Sequence, residues 1–204
     1  MKIFSWQNFK KRLAYDWIYY VLSIVLSIVL WRGAFGLLHR YKFYEKIELF
    51  IAANIVDDSF NEEIILQVND PSLKSFELNQ ALPSDSAFAS KLQYVGYQYS
   101  DLLILSESVI SNIACDEVFL LIDQEIKESY LEKEEEYFLF EEESYGFLLR
   151  DVNKSSWLDE YINFDISEKY YLFVSGASQN ISNKGNYQTP EYDLALKCLK
   201  VLLG

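Results

Sequence analysis

Histidine is almost absent from this chain. His39 is the only one in 204 residues, and it lies at the edge of an apolar run. That excludes a histidine-based catalytic triad and a His-rich metal site in the region that follows. Cysteine is nearly as scarce. Cys115 and Cys198 are far apart and belong to no metal-ligand or CxxC spacing. They either pair in an oxidising compartment or stand as two free buried thiols, and free thiols are the expectation. Only three prolines occur, and no Gly/Ser-rich linker or internal repeat divides residues 47–204. That stretch is expected to be one domain with its own core. Dinucleotide and phosphate-loop glycine motifs, a nucleophile elbow and an EF-hand loop are also missing. No catalytic residue, metal or cofactor is therefore assigned.

Charge is present in quantity, and it is segregated. The chain carries a formal −13. Residues 1–46 hold eight Lys/Arg against two Asp/Glu, a net +6, and the remainder is −19. Phosphate would be repelled by the acidic part, so nucleic acid is not an expected partner. The acidic runs Glu132-Lys-Glu-Glu-Glu136 and Glu141-Glu-Glu143 lack calcium-loop spacing and read as solvated faces rather than cation sites. Asn153-Lys-Ser and Asn180-Ile-Ser match the glycosylation pattern, to which no weight is given.

Between Trp17 and Trp31 the chain has no charge at all. A helix rises about 1.5 Å per residue, and about 20 residues cross a hydrocarbon core about 30 Å thick. The strict run is short by that measure. It spans if Arg32 snorkels to the headgroups and the helix continues through Gly33 to Leu38. Tyr15, Trp17, Tyr19, Tyr20 and Trp31 suit the interfacial belts. The expected layout is a basic amphipathic juxtamembrane segment over 1–12, a transmembrane anchor over 13–38, a connector over 39–46 and an acidic domain over 47–204. Two other readings of the run stay open. One is a cleaved signal peptide ending near Ala34-Phe35-Gly36. The other is a buried helix of a soluble core, which uniform apolarity on all faces disfavours.

Flanking basic residues tie at four against four, so the positive-inside rule does not fix the direction. The cluster Lys10-Lys11-Arg12 beside the run points to a cytoplasmic N-terminus and an extracytoplasmic domain. Ile3, Trp6, Phe9 and Leu13 recur at helical spacing among the basic residues, as in a helix lying on an anionic membrane surface. Ser23 and Ser27, four apart, suit close approach of two helices.

Strand and helix patterns alternate along the acidic domain. Strands are expected over 47–53, 73–82, 101–105, 137–140, 145–149 and 170–174. Helices are expected over 57–68 with Asp58 or Ser59 as cap, from 83 with Phe88, Leu92 and Val95 on one side, over 116–132, and over 192–203 with Leu194, Leu196, Leu199 and Leu202 inward. Tyr94, Tyr97 and Tyr99 are expected to pack into the core with their hydroxyls at the surface. Alternation of this kind predicts an α/β domain with a mainly parallel sheet flanked by helices. Ligands of such sheets bind beyond the carboxyl ends of the strands. The residues just past the strands then form one candidate ligand-binding rim: Asn54, Ser106, Glu107, Ser108, Ser175 and Ser178. The alternative role for each is a cap or turn.

Asp101-Leu-Leu-Ile-Leu-Ser-Glu-Ser108 and Tyr170-Tyr-Leu-Phe-Val-Ser-Gly-Ala-Ser178, before a polar loop and a terminal helix, resemble the extracytoplasmic solute-binding proteins of bacterial transporters. More narrowly, the whole chain resembles small membrane-anchored proteins of low-GC Gram-positive bacteria that carry such a domain. The likeness covers residues 44–204. It implies a solute, or a transporter in the same membrane, as partner. Solute-binding proteins close two lobes over their ligand, and this domain is too short for two. The resemblance therefore implies a reduced form without the clamp.

Three functions follow. The first is a non-enzymatic, membrane-anchored extracytoplasmic accessory or binding protein, with the lipid bilayer, a membrane protein and a small solute as partners. The second is a hydrolase or transferase using carboxylates or the strand-end serines. The third is a structural interaction protein that dimerises through its anchor.

Overall fold

The computed structural model describes residues 6–38, 41–57, 59–123, 137–152, 154–178, 180 and 190–204. The chain divides after residue 40 into two units. The first is a single unbroken helix, α1 (Trp6–Leu38). It continues past Arg32 to Leu38, as spanning requires. Within it, Trp17–Phe35 is long and apolar enough to cross a membrane. Every side chain over that stretch is exposed, so the structure gives no support to a buried core helix. The Ser27 hydroxyl donates to the Ser23 carbonyl at 2.8 Å and is thus engaged within its own helix.

The second unit is an α/β domain built on a six-stranded sheet. Its strands are β1 (Lys46–Ile51), β3 (Ser75–Gln80), β4 (Leu102–Ser106), β5 (Tyr137–Phe140), β6 (Glu143–Arg150) and β8 (Tyr170–Val174), in the order β3-β1-β4-β8-β6-β5. A two-stranded ribbon pairs β2 (Asn54–Ile55) with β7 (Ile162–Asn163). In the main sheet β3, β1 and β4 are parallel, whereas β8, β6 and β5 pair antiparallel to their neighbours. The sheet is thus mixed, which corrects the expectation of a mainly parallel one. The expectation failed because a fully apolar strand signals burial on both faces and carries no direction. β4 and β8 are both buried at every position and run oppositely.

Side-chain alternation gives the sheet two cores. On one face Ile47, Leu49, Ile51, Leu102, Ile104, Leu172 and Val174 meet α2 (Phe60–Val68) and the C-terminal helix α6 (Pro190–Leu203). α2 presents Phe60 and Ile64, four apart, to this core. It stops at Asn69, which takes the left-handed conformation at φ 48° and returns its N–H to the Ile65 carbonyl at 3.2 Å. Ser59 caps its start without a side-chain bond; Asp58 lies outside the described residues. Leu194, Leu196, Leu199 and Leu202 of α6 are all buried.

On the other face Phe50, Leu103, Leu105, Tyr171 and Phe173 meet α3 (Phe88–Lys91), a wider π turn over Leu92–Tyr97, α4 (Glu107–Ile110) and α5 (Cys115–Val118). A Cβ on Gly96 would stand 3.1 Å from Leu92 and 3.3 Å from Leu103, so the π turn lies close on the sheet. Tyr97 packs edge-on against Phe119, while Tyr94 and Tyr99 are exposed rather than in the core. Within the described part of the helix expected over 116–132, helix runs only as far as Val118. Phe119 turns extended and bridges Ser175, and Leu120 and Ile122 donate to the carbonyls of Val174 and Ser144. Pairing with two strands satisfies this backbone where helix propensity alone would have continued the helix. Residues 124–136, including the first acidic run, lie outside the described residues, as does Asn153. Cys115 and Cys198 are free and buried.

Candidate functional site

The order β3-β1-β4 makes the chain leave β1 toward one side and return for β4 on the other. The connections therefore diverge at the carboxyl ends of β1 and β4, where α/β sheets place their ligand crevices. An open cleft of about 780 Å³ lies there. Its floor is Ala52 and Ala53 after β1 and Ser106 at the end of β4. Leu82, Pro83 and Ser84, following β3, form one wall. Opposite them stand Asn163 to Ile166, Glu168 and Tyr170, the segment that leads into β8. Asn54 and Asn163, paired across the β2–β7 ribbon, line the cleft together.

Three side chains form a hydroxyl relay at its base. Ser106 is 2% exposed, and its Oγ stands 3.1 Å from the Ser108 Oγ. Ser108 donates to the Glu168 carboxylate at 2.7 Å. A serine has one hydroxyl proton. Since Ser108 spends its proton on Glu168, Ser106 must be the donor to Ser108.

The loop before β8 is fixed from behind. Arg150, on β6 and 8% exposed, donates to Asp159 at 2.9 Å and to the Asp165 carbonyl at 3.3 Å. Its guanidinium lies 5.7 Å from the centre of the Phe164 ring, which packs on Tyr170 at 4.6 Å. The Asp165 N–H donates to the Tyr170 hydroxyl at 3.1 Å. Burial pushes the Tyr170 phenol up. The hydroxyl and N–H of Ser167 hold the Asp165 carboxyl below its ordinary range. Asp165 therefore stays ionised at neutral pH.

The residues proposed from sequence divide into two groups. Asn54, Ser106 and Ser108 come together in the cleft, and Glu107 is exposed beside Ser108. Ser175 and Ser178 lie at the opposite end of the sheet, because β8 runs antiparallel to β4. There they surround Asp101, 3% exposed. Ser178 donates to one oxygen of the Asp101 carboxylate. The Glu48 N–H and the Asn180 amide donate to the other at 2.9 and 3.0 Å. Ser175 donates to the Tyr97 carbonyl at 3.2 Å. Burial raises the Asp101 pKa, and the bonds from Ser178, Glu48 and Asn180 oppose that rise. This knot also engages the amide of Asn180 within the core.

Asn163, Asp165, Glu168 and Tyr170 are the polar cleft residues on the segment entering β8 that sequence reasoning missed. They lie before or at the first residue of β8, and a rule about carboxyl ends looks only beyond strands. The one available signal was the polar segment 163–169 directly before a buried strand. Comparisons with protein-family models, curated proteins and solved structures give no match for this chain.

Proposed function

We propose that this chain is a non-enzymatic accessory or binding protein anchored in the cell membrane by α1, with its N-terminus cytoplasmic and its α/β domain extracytoplasmic. The observation that carries the binding role is the cleft of about 780 Å³ at the point where the strand connections diverge. The basic cluster Lys10-Lys11-Arg12 supports the orientation, and the apolar stretch Trp17–Phe35 supports the anchor. On this proposal the cleft takes a small solute without a second closing lobe. A transporter in the same membrane is the partner that would receive it. In situ crosslinking followed by purification from detergent tests the partner: a transport protein should be recovered, and its absence would overturn the association. Protease added to intact cells tests the orientation, and should remove the acidic domain while sparing the basic N-terminus.

A second reading rests on the Ser106–Ser108–Glu168 relay. A serine hydroxyl 2.7 Å from a carboxylate is the arrangement of a nucleophile beside a base. A hydrolase or transferase of this kind would react covalently at Ser108 with a fluorophosphonate. The binding-protein proposal expects no such labelling.

A further inference from the structure

We infer that the cleft is selective for a small organic cation carrying a protonated amine. This rests on the proposal that the cleft binds a ligand. Ser106 gives its proton to Ser108, and Ser108 gives its proton to Glu168. The buried Ser106 oxygen therefore faces the cleft as an acceptor with no donor among the described residues. Glu168 takes its one side-chain hydrogen bond, among the described residues, on Oε2 and enters no ion pair there. Two acceptors thus converge at the base of the cleft, and an ammonium group offers three N–H donors in a compact charge.

Charge agrees with this. Among the described residues the lining contains the carboxylates of Asp165 and Glu168 and no Lys, Arg or His. The nearby cations are engaged elsewhere: Arg150 with Asp159 and the Asp165 carbonyl, Lys169 with Asp151 at 3.9 Å. A carboxylate or phosphate ligand would meet two like charges in this lining, with Arg150 behind the wall already committed to Asp159 and the Asp165 carbonyl. A divalent metal ion lacks its ligand set, because among the described residues no three His, Cys, Asp or Glu side chains cluster. Leu82, Pro83 and Phe164 supply an apolar wall for the carbon skeleton of an amine.

Calorimetry on the full chain in detergent micelles tests the inference, with 1,4-diaminobutane, its uncharged analogue 1,4-butanediol, succinate and CaCl2 as probes. The diamine should bind, and the other three should not. Glu168→Gln should weaken the diamine by about tenfold or more, as expected for loss of a charge-assisted hydrogen bond. Ser106→Ala should weaken it by a smaller factor, and Glu117→Gln, on the exposed surface of α5, should leave it unchanged. An equal loss in Glu117→Gln would overturn the inference in favour of diffuse attraction to an acidic surface. Binding of the diol, succinate or calcium that Ser106→Ala weakens would overturn the choice of ligand class and leave the cleft reading standing. Binding by none of the four would overturn both.

Discussion

The side-chain amide of Asn180 donates to the Asp101 carboxylate at 3.0 Å across 79 residues of sequence. The same amide reaches the Lys46 carbonyl at 2.9 Å. One side chain thus joins the end of the β8 connection to the starts of β1 and β4. Asp101 collects three donors in a site almost closed to water. Asp101→Ala strands all three, and each unsatisfied buried group costs about 1–3 kcal/mol. A loss of about 3 kcal/mol or more in urea unfolding is expected. Asp101→Asn, which keeps one acceptor oxygen, should lose less.

Arg150 holds the cleft wall by two hydrogen bonds and a ring contact. A lysine at 150 keeps the charge but lacks the planar fork that serves Asp159 and the Asp165 carbonyl together. Arg150→Lys should cost about 1–2 kcal/mol by loss of one such bond. Amide exchange over 163–169 should quicken. If the exchange rates there do not change, the loop is positioned by something other than Arg150.

The β5–β6 hairpin turns through Glu141 and Glu142, with φ of 52° and 72°. Both are in the left-handed region, which non-glycine residues occupy at a cost of about 1–2 kcal/mol. Two-residue turns of this geometry favour Asn-Gly. Replacing Glu141 and Glu142 by Asn and Gly should raise stability by about 1 kcal/mol, seen as a higher urea midpoint. A midpoint that falls would show that the glutamates make contacts that outweigh the strain.

Asp70, just beyond α2, accepts a hydrogen bond from Lys197 of α6 at 2.8 Å. That ammonium, with the Ser72 hydroxyl and N–H, lowers the Asp70 carboxyl from 3.8 to about 2. The folded chain therefore binds this proton more weakly than the unfolded chain. The stabilisation is present above about pH 4 and is lost as pH falls toward 2. Lys197 is 42% exposed, so screening leaves about 1 kcal/mol. The stability gap between the parent and Asp70→Asn should be of that size at pH 7 and close near pH 2. A gap that persists at pH 2 would assign the effect to packing instead.

Periodicity located most elements of the acidic domain because burial writes itself into composition. Leu102 to Leu105 and Tyr170 to Val174 are apolar since both faces of the sheet are covered. The α6 leucines are spaced for one core, and all four are buried. Strand direction is not written that way, and the error in the sheet followed from it. The antiparallel run of β8 also puts Ser175 and Ser178 in the Asp101 knot rather than in the cleft, because their expected place depends on strand direction alone. The stop of α5 at Val118 was equally hidden. It depends on what Phe119 to Ile122 pair with, and those partners lie more than twenty residues away in sequence.

β8 joins two unlike environments. Its first residue, Tyr170, borders the open cleft, and the residues after its last one are locked into the Asp101 knot. The strand separates a replaceable rim from a fixed hinge pin, five residues apart. Homologous chains could thus exchange the segment from Asn163 to Lys169, and with it the preferred ligand, without disturbing the closure that keeps the sheet assembled.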